Sequence, residues 1–150
     1  MQLFKNIATP ALKTNKLNQQ FIADKAETWS DQDGISYVRY LPETDISYAD
    51  MMQIFLQGAG GSAVADRKLA LLTDLRFVHR ISKDALDLTV SPKFLERIGA
   101  LALVADHLEA RQMAHHYISS HKPDVPVRVF SSLEYARLWL LSLINDGTVQ

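Results

Sequence analysis

The chain has no cysteine among its 150 residues. That absence excludes disulfides, thiol catalysis and thiolate zinc sites, and it agrees with a reducing compartment, so a cytoplasmic location is expected. An excess of either charge is missing too. Sixteen Lys and Arg against 17 Asp and Glu leave a formal net charge of −1, so no global field draws the chain to nucleic acid or an anionic membrane. No apolar run approaches the roughly 18 residues needed to span a bilayer. The opening MQLFKNIATPALK lacks the ~7–15-residue apolar core of a signal peptide. No Gly-x-Ser-x-Gly elbow supports serine-hydrolase chemistry. No repeat or low-complexity segment interrupts the pattern.

What is present is an ordinary globular mix, 47% hydrophobic and 22% charged. A chain of this length forms one domain and buries roughly 70% of the surface it exposes when unfolded. No metal or cofactor is needed to hold it together.

The first segment stands apart. Lys5, Lys13 and Lys16 occur there without a carboxylate, and Pro10 interrupts any helix. An N-terminal arm over residues 1–19 is expected, followed by a domain over 20–150. Residues 21–29, FIADKAETW, read as a strand. The Asp31-Gln32-Asp33-Gly34 turn and the alternating ISYVRYL over 35–41 complete an antiparallel hairpin. Ser47 and Asp50 resemble a capping box. The helix they open carries an apolar stripe of Tyr48, Met51, Met52, Phe55 and Leu56 and ends at Gly58-Ala59-Gly60-Gly61. Those glycines follow a helix and lack the Gly-Lys-Ser/Thr ending, so they do not form a phosphate loop.

From residue 69 the rhythm alternates strand and helix. LALLTDL (69–75) and ALALVA (100–105) are buried strands, and VPVRVF (125–130) is a third strand, with Pro126 at a strand start or on an edge. Helices begin near Ser82, restart at Ser91-Pro92, follow Asp106 and Glu109 with a stripe of Ala110, Met113, Ala114, Tyr117 and Ile118, and follow a Ser131/Glu134 capping box. The order is β-β-α-β-α-β-α-β-α. It predicts an α/β domain with a mixed, mostly parallel sheet, an N-terminal β-hairpin and right-handed crossovers.

Three groups of residues bear on function. Among the histidines, His115 and His116 are neighbours about 100° apart on a helix, and Arg111 lies between His107 and His115, so no chelating pair is formed. Arg76, His79, Arg80, Ser82, Lys83 and Asp84 follow the first parallel strand. Ligands of open α/β sheets bind beyond the carboxyl ends of strands, which makes this a candidate recognition loop with Phe77 and Ile81 as its core anchors. Leu138, Trp139 and Leu141 widen the last helix beyond one buried stripe, which suggests a homodimer face.

The element order, with LALLTDLRFVHRISKDAL (69–86) and the stretch over 100–140, resembles the STAS-like superfamily, related to bacterial anti-sigma-factor antagonists (SpoIIAA-like proteins). It is similar to small bacterial STAS/Sec14-like proteins that share a KP-x-x-PVRVF segment, here Lys122 to Phe130, and a helix carrying Ala136, Trp139 and Leu140. The resemblance implies a non-enzymatic regulatory domain acting through protein partners. In antagonists an Asp-Ser-Ser-Gly signature follows the strand, and its second serine is the phosphorylation switch. Counted without gaps from Asp74-Leu75, the signature falls on Ser82-Lys83-Asp84-Ala85. Asp84 then replaces the switch serine, and Ser82 reads as a helix N-cap. Likeness to the lipid-binding Sec14 type implies an alternative, a carrier of a small apolar ligand, with Met51, Met52 and Phe55 as a soft lining.

Overall fold

The Asp-Gly turn is built as its chemistry predicts. Asp31 Oδ1 accepts hydrogen bonds from the backbone N–H of Asp33 at 2.9 Å and of Ile35 at 3.1 Å. Gly34 takes φ +92°, a conformation that costs glycine nothing. The hairpin it closes joins β2 (Ala26–Ser30) to β3 (Ile35–Tyr40) in antiparallel register. The computed structural model describes residues 16–58, 68–121 and 123–149. Most of the expected arm, together with Ala59 to Gly61 and Lys122, lies outside the described residues.

Residues 21–29 do not form one strand. β1 (Leu17–Ile22) pairs antiparallel with β2 across a turn at residues 23–25. Ala23 and Asp24 adopt φ +54° and +53° there, and Lys25 N–H closes on the Ile22 carbonyl at 3.0 Å. Neither Ala-Asp nor Asp-Lys is a turn signal of the Asn-Gly kind, which hid the reversal. The arm boundary drawn at residue 19 therefore runs through β1.

β5 (Leu69–Asp74), β7 (Ile98–Val104) and β8 (Val127–Phe130) lie parallel to β3, giving a six-stranded sheet in the order β1-β2-β3-β5-β7-β8. This is the mixed, mostly parallel sheet that the strand–helix rhythm predicts. Pro126 sits just before β8, and its carbonyl accepts from Leu101 N–H at 2.9 Å. β4 (Asp45–Ile46) and β6 (Arg80–Ile81) add a two-residue parallel pair with too little pattern to be read beforehand.

The helices divide between the two faces. α1 (Tyr48–Gln57), α2 (Lys83–Thr89), α3 (Pro92–Leu95) and α4 (Leu108–His121) pack on one core with Val38, Leu71, Leu101 and Leu103. α5 (Leu133–Asn145) covers the other face, setting Ala136 and Leu140 against Ala70, Leu72, Ala100 and Ala102. Alanines on β5 and β7 let the helix approach closely. Among the described residues no helix is long and apolar enough to cross a membrane.

Several helix details differ from expectation. The Ser47/Asp50 capping box is present, but α1 buries Met51, Ile54 and Phe55, leaving Tyr48 and Leu56 exposed. The inward face is set by Gly58, where a Cβ would stand 2.6 Å from the Ile54 carbonyl oxygen and 3.1 Å from Thr28 Cγ2. α5 is capped by Ser132 rather than Ser131. His107 takes the place expected of Asp106, its Nδ1 accepting from Ala110 N–H at 3.4 Å.

Candidate functional site

The loop after β5 begins with a buried carboxylate. Asp74 ends the strand with its side chain 2% exposed. Its Oδ1 accepts from Arg76 N–H at 3.1 Å and Arg76 Nε at 2.9 Å, and its Oδ2 accepts from Arg76 Nη2 at 2.8 Å and Arg39 Nε at 3.2 Å. Two guanidiniums supply the counter-charge that a buried carboxylate requires. Arg76 is held charged, its pKa raised above the ordinary value by its hydrogen bonds to Asp74. The network continues through Arg39 to Glu27 at 3.9 Å and from Glu27 to Lys16 at 2.8 Å. It joins β2, β3 and β5 and reaches Lys16 just before β1, so Arg76 is a structural cation rather than an open recognition group.

The next residues alternate between anchor and surface. Val78 and Ile81 are buried, whereas Phe77 is 43% exposed with the Arg76 guanidinium 4.9 Å from its ring centre. Phe77 was expected to anchor the core, and Val78 does so instead. The turn closed by Asp74 and Arg76 puts Phe77 outward. The backbone is tied to a neighbouring segment, since Glu43 N–H donates to the Phe77 carbonyl at 2.9 Å, and His79 and Arg80 N–H donate to the Thr44 carbonyl at 2.9 and 3.1 Å. His107 Nε2 lies 3.0 Å from the Arg76 carbonyl and ties in the β7–α4 loop, where Leu108 is 70% exposed.

The remaining loop residues serve separate roles. His79 Nδ1 lies 2.6 Å from Asp45 Oδ1, both groups facing solvent. Arg80 is exposed and forms no ion pair among the described residues. Ser82 is the N-cap of α2, as expected, accepting from Ala85 N–H at 3.3 Å and donating to Asp84 Oδ1. Asp84 lies in the first turn of α2, where the helix dipole favours negative charge. Lys83 pairs with Asp87 at 3.2 Å across one exposed turn. The six residues thus share one edge of the molecule without converging on a point. Among the described residues no His, Asp or Glu cluster is arranged to hold a metal ion.

On α5 the expected dimer face is narrower than the sequence implied. Trp139 packs on Phe130 with ring centres 5.6 Å apart and has the Arg128 guanidinium at 5.8 Å. Leu141 is half-buried against the core of that face. Leu138 is exposed, as is Tyr135 one turn before it.

Two of the three residues expected to line an apolar site, Met51 and Phe55, border a cavity on the opposite face. This cavity, between the sheet and α1 to α4, measures about 70 Å3, well above the ~10–15 Å3 that admits one water molecule. Its walls are almost wholly apolar. Met51, Phe55, Leu86, Phe94 and Met113 face Val38, Leu71, Leu101 and Leu103 across it. Met52, expected in such a lining, is half-buried on α1 and does not border it.

A family model described as a domain of unknown function, DUF7793, matches residues 28–144. The chain belongs to this family. No curated protein matches it. Among solved structures, the DUF7793 chain is similar to an uncharacterised protein of the DUF3478 family with a SpoIIAA-like fold, from Shewanella loihica PV-4. The TM-score is 0.57 at 14% identity, over 77% of this chain and 91% of that one. That likeness shows the fold: this DUF7793 domain has a SpoIIAA-like fold.

Proposed function

We propose that this DUF7793 domain is a non-enzymatic regulatory module that binds a protein partner through the loop surface at the carboxyl end of its sheet. The observation that supports this most is the exposed Phe77 ring on a backbone that neighbouring chain segments hold on both sides. An exposed aromatic on a rigid frame loses little entropy on binding. Leu108 beyond the His107 tie and Arg80, which has no ion pair among the described residues, complete the surface. A partner presenting an apolar side chain beside a carboxylate fits it. Asp84 at the switch position gives the α2 N-terminus a fixed negative charge, and Ser82 is committed to its cap, so binding is not gated by a phosphoserine there. The test is capture from the source cell by wild type and by a Phe77→Ser, Arg80→Ala double variant whose melt matches wild type. Loss of a captured protein by the variant is expected; identical captured sets would place the working face elsewhere.

A second reading, a carrier of a small apolar molecule, is favoured by a separate observation, the cavity between the sheet and α1 to α4.

A further inference from the structure

Thr73 is the odd residue in the wall of that cavity. β5 alternates Leu71, Thr73 and Leu75 toward α1 to α4, and Thr73 pairs in register with Val38 on one side and Leu103 on the other. It is 8% exposed, borders the cavity, and makes no side-chain hydrogen bond with any described residue. Among the described residues no fully buried side-chain polar atom lacks a partner, so the Thr73 hydroxyl opens onto the cavity, where valine would fill the same shape with no polar group to solvate. A threonine there is explained if something inside the cavity completes its bond.

The other hydroxyls at the cavity are only partly used. Tyr40 Oη donates to Met51 Sδ at 3.7 Å, a weak acceptor. Tyr117 Oη lies 3.2 Å from Thr89 Oγ1. The only charged residue on the wall among the described residues is Arg97, and it is half-buried. Burial raises the pKa of Tyr40, further raised by Tyr117, and burial likewise raises that of Tyr117. The interior thus favours neutral groups.

Resting on the second reading above, we infer that the cavity binds a compact, neutral, mainly apolar molecule with one hydrogen-bonding group, and that Thr73 makes its polar contact. The resting volume of about 70 Å3 is roughly half that of an engineered ~150 Å3 cavity that accepts benzene. Met51 and Met113, the flexible members of the wall, supply the remaining space by changing rotamer.

Methyl-13C-methionine NMR on the full chain tests this with three probes of one body: phenol, benzene and benzoate. Phenol is expected to shift the Met51 and Met113 methyl signals and to leave Met52 in place. It should bind about fivefold tighter than benzene, the value of one neutral hydrogen bond, and benzoate should not bind. Thr73→Val should abolish the preference for phenol, while Thr73→Ser retains it. If no probe moves Met51 or Met113, the carrier reading itself is overturned. If benzene binds as well as phenol, or Thr73→Val keeps the preference, the cavity reading stands but the polar contact is wrong. Tightest binding by benzoate would overturn the neutral class in favour of a pairing with Arg97.

Discussion

Asp74 and Arg80 lie six positions apart on one loop and have opposite consequences for the fold. Asp74 is buried between two guanidiniums, and Asp74→Asn leaves Arg39 and Arg76 short of counter-charge. Because both arginines reach water, the loss is set at the lower end of the buried-pair range, about 3 kcal/mol. Ser82→Ala removes a cap and is expected to cost about 1 kcal/mol. Arg80→Ala removes no ion pair among the described residues and should stay within about 0.5 kcal/mol. Urea melts of the three variants check the ranking, and an Arg80 loss as large as that of Asp74 would contradict it. At this scale the sequence was legible where chemistry is local. The Ser82 cap, the Ser47/Asp50 box and the Asp-Gly turn each depend on residues within one turn of chain. The partnership of Asp74 with Arg39 depends on β3 and β5 lying side by side, and nothing in residues 69–86 alone announces it.

Element by element, the alternation of strand and helix carried the architecture because each buried strand of a parallel sheet is a continuous apolar run. β5 and β7 were plain for that reason. β1 was not, because residues 17–22 are LNQQFI and only Ile22 is buried; an exposed edge strand has no apolar face to write into sequence. β4 and β6 consist of two residues each and show no period. The α1 stripe was misplaced by a fraction of a turn, since Tyr48 and Leu56 are as apolar as the residues the helix buries. The breadth of α5 was read as excess apolar surface. Much of that excess is taken up by Phe130 and the core beneath, which leaves Leu138 and Tyr135 as the face for a proposed second copy. Of the cavity the sequence offered only Met51 and Phe55; its extent and its other walls depend on how α1 to α4 pack above the sheet and not on any one segment.

For the molecule as a whole, three buried tyrosines govern the alkaline limit. Tyr37 is raised by burial and then by its bond to Asp31, Tyr40 by burial and then by Tyr117, and Tyr117 by burial. A raised pKa in the folded state means stability fully present below the unfolded value, ~10, and lost as pH climbs toward the folded value. Each tyrosine contributes a slope of up to ~1.4 kcal/mol per pH unit in that window, at most about 4 kcal/mol per pH unit together. Denaturant melts between pH 9 and 11 should show this fall, and Tyr40→Phe should remove about a third of it. Constant stability over that range would contradict the burial described above.

The proposed working face is tested most directly by site-specific photo-crosslinking in the source cell. p-Benzoylphenylalanine is placed at position 77, and at position 138 for comparison. The predicted result is a covalent adduct at 77 with a protein other than this chain, and at 138 either a second copy or no adduct. A folded 77 variant that captures nothing, or that captures only what 138 captures, would contradict the proposal that the carboxyl-end loops carry recognition.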